Sequence, residues 1–412
     1  MERTENLAQH IVLLLVGLFW ATGAGQAMAQ YEITVSAGAF DRVETVASFT
    51  FPEPVAPGTY RMNSDSGENL LLQVDENQRG SFILRELPSE ETRTYTVDTE
   101  APVSSMPGQP EMSISAGQRT LIFNDGSRKV LSYYHRENRL PPGMDKMYKR
   151  AGYIHPLYSP GGVPLTNHLD QEIHPHHYGI FSAWTNTEFQ GRTPDFWNPH
   201  NHSGRVDHAD SVEKAWEGPV HAGFKAKNYF VDISGSAPVT ALNEEWKVIV
   251  YNTASDGDYN MVDLVLTHTT NTGQPLVLPE YHYGGLAFRG HGDWNNPENV
   301  SFVTSEGMNR DEANETRARW VHMGGLVNGE RAGVALLGHP DNYRAPQPIR
   351  IHPETPYVVY APMQLGKMTI EPGSPYIMRY RFVTYDGEPD IEKINRLWND
   401  YAYPPGITVE KQ

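Results

Sequence analysis

Apolar and polar residues alternate along much of this chain. Ile33, Val35 and Ala37 are spaced by polar or small neighbours. Trp246, Val248 and Val250 share one side of a segment whose other side carries Lys247 and Ile249. Val262, Leu264, Leu266 and His268 line up the same way within Met261 to Thr269. Side chains two apart on an extended chain share a face, so each pattern predicts a half-buried strand. Shorter apolar runs follow the same reading: Leu70 to Val74, Ser81 to Leu84, Thr120 to Phe123, Val130 to Tyr134, and Tyr376 to Tyr385 before an Asp386-Gly387 turn. Helical spacing is clear only near the end. Ile391, Ile394, Leu397 and Trp398 recur at intervals of three and four, with Asp390 placed to cap. The chain is therefore expected to be all-β with one short C-terminal helix.

The pattern also divides the chain. Ile11 to Ala24 is an apolar run followed by Ala27-Met28-Ala29, the small-x-small signature of a signal-peptidase site. Residues 1–29 are expected to be a signal peptide, with an uncleaved anchor as the alternative. A periplasmic or secreted protein starting near Gln30 follows. No later segment approaches the ~18 apolar residues of a spanning helix. Residues 30–100 contain neither His nor Lys and are expected to form a small β-sandwich. Residues 101–117 hold three prolines and four serines and are expected to be a linker. Residues 118–412 are the main domain.

Composition narrows the function. The formal net charge is −17, which disfavours binding to nucleic-acid phosphates. There is no cysteine, so the core must stand without disulfides. Histidine is the informative residue: nine of 17 lie between His155 and His221. At the centre is His174-Pro175-His176-His177. Imidazole suits both proton transfer near neutral pH and metal binding. Read as extended, the run points His174 and His176 one way and His177 the other. His168, Asp170, His174 and His176 could together hold a divalent metal, although no His-Glu-x-x-His pattern occurs.

Two further groups carry candidate chemistry. Glu280, His282 and Gly284 would share a face of an extended segment, giving an acid–base pair beside Tyr281 and Arg289. His339, Asn342 and Arg344 follow an apolar strand and are expected to bind hydroxyls or a carboxylate. Trp184 and Trp197 stand close to the histidines and are the candidates for stacking on sugar rings.

Taken together, His155-Pro156-Leu157-Tyr158, His174-Pro175-His176-His177, Asp195-Phe196-Trp197 and His339-Pro340-Asp341-Asn342-Tyr343-Arg344-Ala345-Pro346 resemble a bacterial family of unknown function labelled methane oxygenase PmoA-like. The resemblance covers about residues 119 to 405. Tyr178 and Gly338 depart from it, standing where the family usually has Arg and Asp. It implies a large antiparallel β-supersandwich similar to galactose-mutarotase-like folds, and a carbohydrate substrate by analogy. A membrane-embedded oxygenase subunit does not fit a mature chain without a span.

The reading is an exported carbohydrate-active protein that cleaves a glycosidic bond, by hydrolysis or by β-elimination, including from an oxidised sugar. His176 or His177 would be the acid or base, Glu280 and His282 the partner pair. Trp184, Trp197, Tyr281, Arg289, His339, Asn342 and Arg344 would bind substrate. His176 or His177, His282 and Arg344 are expected to line one cleft. The alternatives are a non-catalytic sugar-binding protein and a metal-dependent hydrolase or oxygenase.

Overall fold

The computed structural model describes residues 30–103, 111–209, 212–253 and 258–412. The leader expected over 1–29 lies outside the described residues. The predicted alternation is realised as three large sheets, antiparallel in the pairings that build them.

The first sheet has seven strands. Its path begins at Arg42–Thr50 and ends with Thr92–Asp98, Gln30–Ser36 and Gly406–Lys411. The strands wrap one core that includes Ile33, Val35, Leu72, Phe82 and Tyr95. The strands form one continuous hydrogen-bonded path around this core. Its last strand comes from the C-terminus, so the final residues belong here and not to the body expected over 118–412.

The other two sheets form a sandwich. An eight-stranded sheet runs from Ile349–Ile351 through Tyr357–Tyr360, Gly285–Arg289, Ile180–Ala183 and Tyr153–Leu157 to Met112–Ala116. A nine-stranded sheet faces it, with His221–Asp232, Val239–Tyr251, Tyr259–Thr270 and Tyr376–Asp386 at its centre. Phe288 meets Phe382 across the interface at 6.4 Å, and Tyr360 stacks on Tyr380 at 4.9 Å. Each large apolar side chain buried here contributes roughly 1.5–3 kcal/mol. Trp246, Val248, Val262, Leu264 and Leu266 face this core, as their spacing predicts.

Met112–Ala116 lies within the expected linker yet forms a strand. Met112 is buried and pairs opposite Asp125, and the Gly117 N–H donates to the Thr120 carbonyl at 2.7 Å to close the hairpin.

The helix Ile391–Ala402 covers the outer face of the nine-stranded sheet. Ile394, Leu397 and Trp398 bury against Met261, Leu337 and Val383. Asp390 caps it, accepting from the Lys393 N–H at 3.0 Å. Asp400 on this helix pairs with Arg42 of the first sheet at 2.8 Å, both side chains buried. Gln73 adds a second lock, donating to the His221 carbonyl and accepting from the Val220 and His221 N–H groups, each at 3.1 Å. These buried bonds, with the Tyr259–Glu44 bond of 3.2 Å and the Lys214–Glu76 pair, fasten the first sheet to the rest of the molecule.

Candidate functional site

The site forms on the outer face of the eight-stranded sheet. Phe288 points into the sandwich, so its neighbour Arg289 points out. Arg289 pairs directly opposite Tyr357 in the next strand, which puts both side chains on that outer face. The connection from Tyr158 to Gly179 folds back over them. The Asn167 N–H donates to the Arg289 carbonyl at 3.2 Å, and the Arg289 N–H to the Gly179 carbonyl at 2.7 Å.

Asp170 organises this connection. One carboxylate oxygen accepts from the Glu172 and Ile173 N–H groups, each at 3.1 Å. The other accepts from Arg289 at 3.1 Å, Asn295 at 2.9 Å and Asn167 at 3.2 Å. Burial raises its proton affinity, but the bonds from Asn295, the two N–H groups and Arg289 outweigh that and hold it below the usual carboxylate range. With its acceptors occupied, Asp170 positions the loop and stands outside the three-histidine group.

The histidine run is a turn, not an extended segment. The His177 N–H closes onto the His174 carbonyl at 3.0 Å, with Pro175 in the first corner position that its fixed φ favours. His174 itself has φ 55, a left-handed conformation uncommon outside glycine. The turn stacks His174 on His177 at 4.8 Å and sets His176 edge-on to both, at 5.7 and 4.8 Å. Expected alternation would have sent His177 to the opposite face; the turn brings all three together. One ring nitrogen from each of His174, His176 and His177 lies within 4.8 Å of the others. His352 adds an edge at 5.5 Å from His174, and His200 one at 5.8 Å from His176.

Burial dominates the electrostatics. It holds His176 down at about 3, helped by His174 and His200, and His352 at about 4, helped by His174 and Arg350. His177 is pushed well below its ordinary value by burial and by His176 and His174. The turn therefore presents neutral imidazoles. His177 Nδ1 is buried without a hydrogen-bond partner, as are Nε and Nη1 of Arg289. Arg289 is fully buried, and burial lowers it to about 10, opposed by Asp170. Trp197 meets His177 edge-on at 6.0 Å and Tyr283 at 5.1 Å; Tyr357 meets His177 at 4.7 Å. The arrangement offers neutral nitrogen ligands or acceptors, two free guanidinium donors, phenols and an indole at one place.

His168 is elsewhere on the same loop. It stacks on His155 at 3.9 Å and bonds Tyr153 Oη at 3.0 Å, so it does not join the three-histidine group. Of the metal candidates read from sequence, His174 and His176 stand in the group; His168 and Asp170 do not, and His177 takes their place.

The other expected site residues divide. Arg289 and Trp197 belong to the site. Tyr281 and His282 are at its rim, with His282 exposed and 4.8 Å from Tyr283. Glu280 is exposed, and no ion pair or hydrogen bond joins it to His282 among the described residues. The strand expected there is interrupted: one ends at Leu278, the next begins at Gly285, and Gly284 has φ 135. The acid–base pair is not formed. Trp184 is a core residue whose Nε1 donates to His268 Nδ1 at 3.1 Å, so it offers no stacking face.

Asn342 and Arg344 are spent on backbone. Asn342 donates to the Arg379 carbonyl at 2.8 Å and accepts from its N–H at 2.7 Å. Arg344 donates to the carbonyls of Pro362 and Gly366 at 2.7 Å each, and of Lys367 at 3.2 Å. The turn it clasps carries Gln364, which donates to the His282 carbonyl at 2.9 Å. Arg344 therefore supports the rim indirectly and does not meet the histidines. His339 packs against Tyr401 at 4.8 Å and lines a different cavity, between the first sheet and the sandwich.

His200, Arg350, His352 and Tyr357 are site members that the sequence reading passed over. One signal was available for His352: it begins His352-Pro353, repeating the dipeptide of His155-Pro156, His174-Pro175 and His339-Pro340.

A family model described as a family of unknown function, DUF6807, matches residues 121–399. The match covers more than half of the 412 residues, and the chain belongs to this family. No curated protein matches the chain.

Proposed function

We propose that this member of the DUF6807 family is an exported carbohydrate-active enzyme that cleaves a glycosidic bond at the His174–His177 turn. The observation that carries the reading is the meeting of clustered neutral imidazoles with a buried guanidinium that has two unpaired donors. A sugar offers hydroxyls to such groups and an apolar ring face to the half-buried Tyr283. Export rests on the leader pattern, and the carbohydrate class draws on the fold that the sequence resemblance implies.

The depressed proton affinities bear on mechanism. An imidazole held at about 3 is not protonated near pH 7 and is a weak base there. The same neutral state is the one that ligates a divalent cation. The metal-assisted form of cleavage is therefore favoured over plain histidine acid–base catalysis. His174, His176 and His177 would hold the ion, which when bound supplies a Lewis acid. Arg289 would orient a hydroxyl or carbonyl oxygen, and Tyr357 a second. Cleavage by a carboxylate pair is disfavoured. Asp170 is consumed by the loop, and Asp195 accepts from the Trp197 and Asn198 N–H groups and from the side chains of Asn198 and Asn201.

The test is an oligosaccharide screen that includes keto-sugar glycosides, run with and without a chelator. Bond cleavage is expected, falling about 100-fold or more in His177→Ala with the far-UV circular dichroism of the β fold unchanged. Chelation should reproduce the loss and added divalent cation should reverse it. Binding without any cleavage across the screen would make this a sugar-binding protein instead.

A further inference from the structure

Trp197, whose ring meets His177, also lines a cavity of about 780 Å³. Tyr178, the residue after His177, lines it too. The cavity is large enough for a short saccharide. Its charge runs against the chain as a whole. Arg119, Arg136, Lys146, Lys149, Arg150 and Arg205 border it, against only Glu137 and Asp207, in a chain of net charge −17. The cavity between the first sheet and the sandwich, of about 850 Å³, shows no such bias: six cations there face five carboxylates.

Two of the six cations are neutralised locally. Lys149 pairs with Glu137 at 3.5 Å, and Arg205 holds Asp207 through two bonds of 2.7 and 3.0 Å. Arg119, Arg136, Lys146 and Arg150 have no ion-pair partner among the described residues. Arg150 is the telling one. It is 7% exposed, lies between the rings of Tyr178 and Phe181 at 5.2 and 5.4 Å, and donates through Nη2 to the Ser182 carbonyl at 2.7 Å. Its Nε is buried without a partner, and so are Nε2 of His135 and of His208 in the same lining. Buried polar atoms left unpaired are costly, and several around one cavity mark a place built for a polar ligand.

We infer that this cavity binds an anionic sugar unit, one bearing a carboxylate or a sulfate, on the same saccharide whose glycosidic bond lies at the histidine turn. Guanidinium groups match either anion. Trp197 borders both places, which sets the cavity beside the histidine turn. The inference rests on the carbohydrate reading above and narrows it to acidic saccharides.

Calorimetric titration of the full chain tests it, with trigalacturonate, a sulfated disaccharide, cellotriose and citrate as probes. The variant is Arg136→Gln with Lys146→Gln, two exposed rim residues whose loss leaves the core untouched. At least one acidic saccharide should bind about 10-fold or more tightly than cellotriose. Its affinity should fall with added salt, because rim charges are screened beyond about 10 Å at 0.1 M. The double variant should weaken it about 10-fold and leave cellotriose unaffected. The preferred acid, carboxylate or sulfate, identifies the source of the anion. Citrate binding as tightly as the acidic saccharides would overturn the saccharide assignment and the carbohydrate reading with it. Cellotriose binding as tightly as the acids, without salt dependence, would overturn the anionic assignment alone and leave the carbohydrate reading standing. Wild-type affinity in the double variant would also overturn the inference.

Discussion

Arg289 joins the scaffold to the site through a single side chain. Its Nη2 holds Asp170 and Asn295, and its two other nitrogens are buried without a partner near the histidines. Removing it leaves the Asp170 carboxylate without its cation in a partly buried loop. Arg289→Ala should therefore destabilise the fold by about 3 kcal/mol, the low end for a broken buried pair, because Asp170 keeps its amide donors. Arg289→Lys should recover part of that but not ligand binding, since an ammonium cannot reproduce the planar fork. Denaturant midpoints and ligand titration read the two effects separately; an alanine variant as stable as wild type would show that Arg289 has no structural share. Arg289 and the histidine run were legible in sequence because the unusual residue types sit together there. Tyr357 and His352 were not, because only the strand register opposite Arg289 brings them in. Asn342 and Arg344 looked like ligand-binding groups for the opposite reason. Nothing in a sequence says that a polar side chain is already occupied by backbone.

Strand patterns carried most of the readable information, and the points where strands stop carried the errors. Period-two alternation marks Val239–Tyr251 and Tyr259–Thr270 because one face of each must enter the core. It says nothing about where extension ends, and Glu280 and His282, which alternation puts on a shared face, fall in the break between Leu278 and Gly285. Pro175 likewise turns a histidine run that alternation reads as extended. Gly179 shows the local constraint most sharply. It has φ 73, and a Cβ there would sit 2.3 Å from the Ile154 carbonyl oxygen. The residue lets the histidine loop rejoin the sheet beside Arg289. Gly179→Ala should therefore cost at least the roughly 1–2 kcal/mol of a left-handed non-glycine residue, plus the clash. It should also misplace the turn. Thermal melts and divalent-metal binding by the purified variant check this together. Unchanged stability would mean that the loop can shift freely, and the turn geometry would lose its anchor.

At the scale of the whole molecule, the sequence division at residue 118 missed how the chain ends. The helix Ile391–Ala402 and the strand Gly406–Lys411 return to the first sheet, so the two parts share Arg42–Asp400 and one strand pairing. No local pattern announces a partner that lies hundreds of residues away. Buried histidines spread across the assembled molecule make its stability depend on pH. His168 sits over the eight-stranded sheet, His221 at the Gln73 lock and His322 in the nine-stranded sheet. Burial alone holds His168 at about 4; burial, then Lys247, holds His221 at about 4; burial, then Arg331, holds His322 at about 4. In the unfolded chain each returns to about 6.5. Below that value the unfolded state takes up protons that the folded state refuses. Stability is therefore complete above about pH 7 and falls as pH drops from 6.5 towards 4, by roughly 1.4 kcal/mol per unit for each such histidine. Relief of net negative charge acts the other way in an acidic chain, so the sign of the change separates the two effects. Melts at pH 7.5, 6.0 and 4.5 should show a falling midpoint, and His168→Gln should show a shallower fall. A midpoint that holds steady or rises between pH 6.5 and 4.5 would mean that these imidazoles accept protons without unfolding, and that the tight burial assigned to them is wrong.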